Sequence, residues 1–240
     1  MAERAAVVTG GSSGIGLAIA RALGEDGYGV TVSSRRPEKL EGTAERLRGD
    51  GLDVHSLAAN VASEEEVARL IAAHRDRFGR LDVLVNNAGV GIGQSAGEVV
   101  TKHLDLQLDV NLRSAIIATR EALPMLREAG AEHGKALIVN TASIAGKSGE
   151  GWLAVYSATK AGMIGFSQAT QKELAGDGIQ VSALCPAFVD TEMTEWAREH
   201  VKPEEMIRPE DIAEGVRFLL RTSRHCFVPE IVFTRPGQEL

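Results

Sequence analysis

Six short apolar runs recur along the chain: 5–9, 30–34, 54–58, 81–85, 137–141 and 181–185. Apolar residues on consecutive positions, over strand-length stretches, are what a parallel sheet covered on both faces demands, because neither face is left for polar side chains. A further run, Ile231–Thr234, predicts a seventh strand. Amphipathic stretches fill the gaps at 14–24, 38–49, 64–78, 103–129, 155–176 and 209–222. Ser63 followed by Glu66 reads as a capping-box start, and Pro209 with Glu210 and Asp211 suits a helix first turn. Strand–helix alternation from end to end implies right-handed βαβ units. The fold class is therefore α/β, a doubly wound parallel sheet of about seven strands with helices on both faces. No internal repeat, low-complexity tract or linker divides the chain, so residues 1–240 are expected to form one domain. The segment 187–208 interrupts the alternation. It reads equally as a surface helix pair on the rim or as a lid over a ligand site.

Composition narrows the classes of function. Lys and Arg total 26 against 33 Asp and Glu, a net charge of −7, and no basic block or tail occurs. Neither a nucleic acid nor an anionic membrane is an expected partner. Two cysteines, Cys185 and Cys226, cannot make a disulfide framework and lack metal-ligand spacing, so no metal is expected. No stretch approaches the roughly 18–20 apolar residues of a membrane span, and residues 1–8 lack the apolar region of a secretory signal. A reducing, cytoplasmic setting is the expectation.

The first strand runs into Thr9-Gly10-Gly11-Ser12-Ser13-Gly14-Ile15-Gly16, where a helix begins. Glycines let the chain turn sharply and let a pyrophosphate approach the helix N-terminus, whose free N–H groups and dipole favour an anion. A ligand-free tight turn is the plainer alternative, but a predicted strand before and helix after supply the Rossmann-type context that the motif needs. A carboxylate about 20 residues further on would bind an unphosphorylated ribose. Here Ser34 stands in that place, with Arg35 after it and no acid between Gly29 and Pro37. A guanidinium forks onto phosphate oxygens that a carboxylate would repel, so a 2′-phosphate contact is expected rather than a merely solvated arginine.

A second constellation is Ser143, Tyr156 and Lys160. Tyr156 and Lys160 lie four apart on a predicted helix and share a face. A phenol with an ordinary pKa near ~10 is a poor acid–base group at neutral pH unless a cation favours its phenolate. The ammonium can supply that field. Ser143 follows the fifth strand, at the same sheet edge as the glycine turn.

With Asn86-Asn87-Ala88-Gly89 and Asn111, these motifs in this order resemble the classical short-chain dehydrogenase/reductases, of the NADP-preferring type, over all but the C-terminal end. The resemblance implies an NADPH-dependent oxidoreductase acting reversibly on CH–OH and C=O groups. Tyr156 would be the general acid in reduction and the base in reverse. Lys160 would bind the nicotinamide ribose and lower the tyrosine pKa, and Ser143 would orient the carbonyl. Asn111 would hold a water linking Lys160 to solvent. Gly10, Ser12, Ser13, Ile15 and Gly16 would face the pyrophosphate and nearby ribose, and Ser34 and Arg35 the 2′-phosphate. Asn60 and Val61 would meet adenine. Asn86, Ala88 and Gly89 would line the path to nicotinamide, and Pro186, Val189 and Thr191 its carboxamide end.

The chain departs from the family pattern at Asn60, usually Asp, at Ala187, usually Gly after the proline, and at a C-terminus lacking Asp-Gly-Gly. Ser13 is also not the basic residue that some NADP-preferring members carry, which leaves more of the recognition to Arg35. Gln94, Trp152, Met193 and Trp196, beside Ser143 and Tyr156, are expected at the substrate, an apolar or ring-bearing small-molecule ketone or aldehyde. A homo-oligomer, tetramer or dimer, is implied, with Leu104, Leu108, Leu112, Ile116 and Ile117 as candidate contacts that would equally suit packing on the sheet. Two alternatives stay open. One is reduction of a 3-oxoacyl group on an acyl carrier protein, with Arg113, Arg120 and Arg127 as a basic docking rim. The other is a non-catalytic NADP-binding sensor or scaffold.

Overall fold

The computed structural model of the protein describes residues 2–199 and 201–237. Its strands are β1 (Ala5–Thr9), β2 (Gly29–Ser34), β3 (Val54–Ala58), β4 (Val83–Asn86), β5 (Ala136–Thr141), β6 (Ile179–Pro186) and β7 (Glu230–Phe233). Its helices are α1 (Gly14–Glu25), α2 (Pro37–Gly49), α3 (Glu64–Phe78), α4 (Thr101–Leu108), α5 (Ser114–His133), α6 (Ala154–Leu174) and α7 (Pro209–Arg221). All seven strands run parallel in one sheet, in the order β3-β2-β1-β4-β5-β6-β7. The chain winds outward from β1 to β3 and then crosses back to lay β4 on the other side of β1. The carboxyl ends of β1 and β4 therefore flank the point where the winding reverses, the place where open α/β sheets bind ligands.

Side-chain alternation sends the apolar positions of the strands to both faces of the sheet. Val8, Val30, Val32, Val83 and Val85 bury against Ile19 and Leu23 of α1, Leu40 and Leu47 of α2, and Ile212 and Val216 of α7. Val7, Leu84, Ile138 and Val181 turn the other way, onto Val67 and Leu70 of α3 and Met125 and Leu126 of α5. Met163 of α6 packs on Ala183 and Cys185. Each such side chain contributes about 1.5–3 kcal/mol by burial, so both faces are needed to hold the sheet.

The structure corrects the sequence reading in several places. β4 starts at Val83, not Leu81. Leu81 is buried ahead of the strand, and the Asp82 carboxylate accepts hydrogen bonds from the Ala5 N–H at 2.8 Å and from Arg80 Nε at 2.8 Å. The expected long helix 103–129 is α4 and α5 joined by a π-helical turn, Asp109–Arg113. Ser63 Oγ does accept from the Glu66 N–H at 3.3 Å, but the Glu66 carboxylate reaches past Ser63 to the Asn60 N–H at 2.9 Å. Among the described residues the helix pair read in 187–208 takes 3₁₀ rather than α form. Glu192–Glu199 and Pro203–Glu205 are 3₁₀ turns. The Thr194 hydroxyl explains part of this: it bonds the carbonyls of Val189 and Thr191, satisfying backbone acceptors by a side chain instead of a helical ladder. Ala197, Val201 and Met206 form a small apolar cluster of their own with Phe188. Among the described residues no helix is long and apolar enough to cross a membrane.

Candidate active site

A cleft of about 280 Å³ opens at the carboxyl ends of β1, β2, β4, β5 and β6. Its first wall is the β1–α1 turn. Ser13 caps α1 in extended backbone without a side-chain hydrogen bond, and the first backbone bond back to it, from Leu17, is 3.3 Å long. The N–H groups of the opening turn thus have no partner within the helix. Gly10, Ser12, Ser13 and Ile15 line the cleft, with Gly14 beside them. Gly16 does not line it. A Cβ at Gly16 would sit 2.3 Å from the Gly10 carbonyl oxygen, so this glycine serves the close packing of α1 on the turn.

The floor is held by an asparagine that the sequence reading passed over. Asn87 Nδ2 donates to the Thr9 carbonyl at 3.1 Å, its N–H donates to Thr9 Oγ1 at 3.0 Å, and its Oδ1 accepts from Thr141 Oγ1 at 3.3 Å. One side chain thereby ties together the ends of β1, β4 and β5. Asn86, expected at the cofactor, points elsewhere. It shares the face of Leu84 by the period-two rule, is buried, and donates from Nδ2 to Asn140 Oδ1 at 2.9 Å. Strand alternation was the signal that could have separated the two. Ala88 and Gly89 line the cleft as expected, joined by Val90, Val110, Thr141 and Ala142.

Ser143, Tyr156 and Lys160 come together on the opposite wall. Ser143 Oγ caps the short 3₁₀ turn after β5, accepting from the Ala145 N–H at 3.2 Å. Lys160 is only 3% exposed and donates from Nζ to the Thr141 carbonyl at 2.7 Å, which leaves two of its three N–H donors unspoken for. Burial lowers its pKa to about 8. The Tyr156 phenol is raised above the ordinary tyrosine value, because loss of water outweighs a hydrogen bond with Ser143. The residue as a whole keeps a partly open side. The net shift is upward, opposite to what the amine one turn away was expected to produce; Lys160 Nζ lies 5.6 Å from the ring centroid. A neutral phenol next to a hydroxyl and a buried amine can give up a proton to a substrate oxygen.

Asn111 stands one step behind. It is fully buried in the π-helical turn, where Oδ1 accepts from the Val90 N–H at 2.7 Å and Nδ2 donates to the Val90 carbonyl at 2.9 Å and to Thr159 Oγ1 at 3.1 Å. Its amide pins the loop after β4 to α6 and does not line the cleft.

At the end of β2, Ser34, Arg35 and Arg36 line the cleft. Ser34 Oγ is buried without a hydrogen-bond partner, and Arg35 makes no hydrogen bond or ion pair among the described residues. A buried hydroxyl without a partner beside an unengaged guanidinium is a donor pair suited to an anion. Arg36 and Lys39 of the α2 start are ion-paired instead with Glu192, which also lines the cleft. Ala59 and Val61 are lining residues, whereas Asn60 is exposed and folds its Oδ1 back onto the Ala62 N–H at 3.3 Å.

The rim is formed by Pro186, Ala187, Val189, Thr191, Met193 and Thr194. Three residues expected at the substrate sit outside the cleft proper. Gln94 accepts through Oε1 from the Val100 N–H at 3.3 Å and donates through Nε2 to the Glu98 carbonyl at 3.1 Å, so its side chain is committed to its own loop. Its backbone N–H donates to the Trp152 carbonyl at 2.8 Å. Trp152 is 57% exposed with φ +64, a left-handed conformation unusual for a bulky residue. Its ring lies flush on Gly93, where a Cβ would come within 2.3 Å of it. Trp196 meets Trp152 edge-on at 6.0 Å and Phe188 at 5.9 Å. The aromatic group forms an outer lip beyond Tyr156.

Over residues 4–202 the chain matches the short chain dehydrogenase family, and it belongs to that family of nicotinamide-dependent oxidoreductases. A provisionally named ketoacyl reductase of the granaticin polyketide synthase, from Streptomyces violaceoruber, is 41% identical over 202 residues, spanning 83% of this chain and 72% of its own. A variant of the actinorhodin polyketide ketoreductase, solved with NADPH, superposes with a TM-score of 0.88 at 35% identity, covering 97% of both chains. An alcohol dehydrogenase from the archaeon Thermococcus sibiricus, complexed with 5-hydroxy-NADP, also gives 0.88, at 30% identity, over 99% of this chain and 98% of its own.

Proposed function

We propose that the protein is an NADPH-dependent reductase of ketone or aldehyde carbonyls, reversible in principle, with Tyr156 as the proton donor. The observation that carries this reading is the convergence of the Tyr156 phenol, the Ser143 hydroxyl and the buried Lys160 amine on one cleft wall, with Lys160 Nζ 5.6 Å from the Tyr156 ring centroid. A bound nicotinamide nucleotide supplies the hydride. Ser143 holds the substrate carbonyl oxygen beside the phenol, and Tyr156 passes its proton to that oxygen as negative charge develops there. Lys160 has N–H groups left over that would hold the ribose hydroxyls of a bound nucleotide, and its charge stabilises the phenolate left behind. Asn111 acts from behind the cleft, through its hold on the Val90 loop and on Thr159, beside Lys160.

The preference for the phosphorylated nucleotide rests on Ser34 and Arg35, whose unsatisfied hydroxyl and unengaged guanidinium suit a 2′-phosphate, and on the absence of any acid from 29 to 36. Structural neighbours solved with NADPH and an NADP derivative support it. The segment 187–208 acts as the lid of this site, and its Trp196, with Trp152 and Met193, favours a substrate bearing an apolar ring. Leu108 and Ile116, both exposed on the α4–α5 face, suit a homo-oligomer.

Reduction of a carrier-bound 3-oxoacyl group is the second reading, favoured by the ketoacyl reductase relative. The proposed basic rim argues against it. Arg113 and Arg120 both pair with Glu64, at 2.9 and 2.8 Å, and Arg127 pairs with Asp177 at 2.7 Å, which leaves little positive charge for an acidic carrier.

A panel of free ketones, aldehydes and carrier-bound thioesters, each assayed with NADPH and NADH, tests the proposal. Turnover of free carbonyls with NADPH is expected, and Tyr156→Phe should lower it by about a thousandfold or more while nucleotide binding survives. Near-normal turnover by Tyr156→Phe removes the assignment of the acid. Tight NADPH binding without turnover on any substrate would favour a sensor or scaffold.

A further inference from the structure

Glu192 is an acid in a place where an anion-binding site does not want one. It opens the 3₁₀ turn Glu192–Glu199 of the 187–208 segment and lines the same cleft as Ser34, Arg35 and Arg36. Its carboxylate reaches across the cleft to Arg36 at 3.5 Å and to Lys39 Nζ, more than 150 residues away in sequence. Arg36 caps α2 and Lys39 lies in its first turn, so both cations stand at the positive end of a helix dipole. Arg35, between them and Ser34, is left without a partner among the described residues. Val189 and Ile207 root the 187–208 segment in the main core, and the Ala187 N–H donates to the Phe233 carbonyl at 2.8 Å. Between those anchors the described residues are held largely to one another, with Arg198 paired to Asp190 at 2.8 Å, the Asp190 N–H donating to the Ile207 carbonyl at 2.9 Å, and the Thr194 hydroxyl bonding Val189 and Thr191. Glu192 on α2 and Trp196 on Trp152 are contacts that bridge it to the facing walls.

We infer that Glu192 is a built-in stand-in for the nucleotide 2′-phosphate: it latches the 187–208 segment to α2 in the empty protein and yields Arg36 and Lys39 when that phosphate arrives. The inference rests on the NADP reading above and adds a specificity-determining residue to it. A phosphate monoester brings nearly two negative charges and three acceptor oxygens against the single charge of a carboxylate. It also gains Ser34 and Arg35, which Glu192 leaves unused. Glu192 is well exposed, and exposed pairs of this kind each shift an equilibrium by only about one- to fivefold, so the exchange is easily driven. A nucleotide without the 2′-phosphate has nothing to offer the two cations and leaves the latch shut. Recognition of the phosphate is thereby coupled to release of the segment.

The test uses the full chain with 2′,5′-ADP and 5′-AMP, which differ only in the 2′-phosphate and cannot react. Affinity is read by calorimetry and mobility of residues 190–199 by hydrogen exchange. For the wild-type protein, 2′,5′-ADP should raise exchange in that peptide several-fold, and 5′-AMP should not. Glu192→Gln should show the raised exchange without ligand and bind 2′,5′-ADP about three- to tenfold more tightly, with 5′-AMP affinity unchanged and the gain lost at high salt. Equal 2′,5′-ADP affinity of wild type and Glu192→Gln overturns the inference, as does exchange in 190–199 that 2′,5′-ADP leaves unmoved. If wild type binds 5′-AMP as tightly as 2′,5′-ADP, it is the NADP reading itself that fails.

Discussion

Lys160 is an amine kept where an amine is costly, and replacing it with methionine should expose that cost. Methionine matches the length of the side chain and removes the charge. In the folded protein the ammonium titrates at about 8 rather than 10.5 because burial strips its water. At about 1.4 kcal/mol per pH unit, the ionised form is held at a penalty of about 3 kcal/mol at neutral pH. The penalty is present in full below pH 8 and is relieved between pH 8 and 10.5, where the unfolded chain still binds the proton and the folded one does not. Wild-type stability should therefore gain about 1.4 kcal/mol between pH 7 and pH 9 from this residue, and Lys160→Met should not show that gain. Losing the hydrogen bond to the Thr141 carbonyl offsets part of the benefit, at about 1–2 kcal/mol, so the variant should be about 1–2 kcal/mol more stable than wild type at pH 7. Urea unfolding of both proteins at pH 7, 8 and 9, with no nucleotide added, reads the difference, and carbonyl reduction should be lost in parallel. Stability curves of wild type and variant that run parallel across this range would refute the reasoning.

Three further outcomes follow from single contacts. Arg35→Ala should weaken NADPH binding about 10- to 100-fold and leave NADH unchanged, as measured by fluorescence titration; an equal loss for both nucleotides would move the 2′-phosphate site elsewhere. His74 is buried, donates from Nε2 to the Arg80 carbonyl at 2.8 Å and thus accepts at Nδ1 from Thr31 Oγ1 at 2.7 Å; burial lowers its pKa to about 4. Because the unfolded chain takes up a proton near pH 6.5 and the folded one does not, wild type should lose about 2 kcal/mol between pH 7.5 and pH 5 through this group, a slope that His74→Gln should remove in denaturant titrations. Gly93→Ala should push the Trp152 ring off its seat, changing KM for bulky ring-bearing ketones well before it changes kcat for small ones; identical steady-state constants across a size series would show that the lip does not touch substrate.

Much of this architecture was legible in the chain because it depends on local pattern. Strands buried in a parallel sheet carry apolar side chains toward both faces, so all seven runs found their strands within two residues, and at β4 the two-residue offset came from Leu81, which is buried but lies ahead of its strand. What stayed hidden depends on partners distant in sequence. The π-helical turn goes with the grip of Asn111 on Val90, 21 residues earlier, and no helical periodicity records that. The Asn86–Asn87 pair was recognised as a motif, yet only strand register tells which amide faces the core. Asn60 and Gln94 looked like ligand contacts by position, whereas both are occupied by neighbouring backbone groups, the ordinary fate of amides in turns. Tyr156 and Lys160 were found by spacing, but the direction of the phenol's shift needed its burial.

The Asn87 tie carries a consequence for how a nucleotide is received. With the tips of three neighbouring strands stitched by one amide, the bed of the cleft is already set in its working shape and has little conformational freedom left to surrender on association. Adaptation is then left to the flap opposite, which is rooted in the core at Val189 and Ile207 and built of short turns between them. A chain organised this way can exchange its guests and alter its tastes by editing that flap, while the keel beneath it stays untouched.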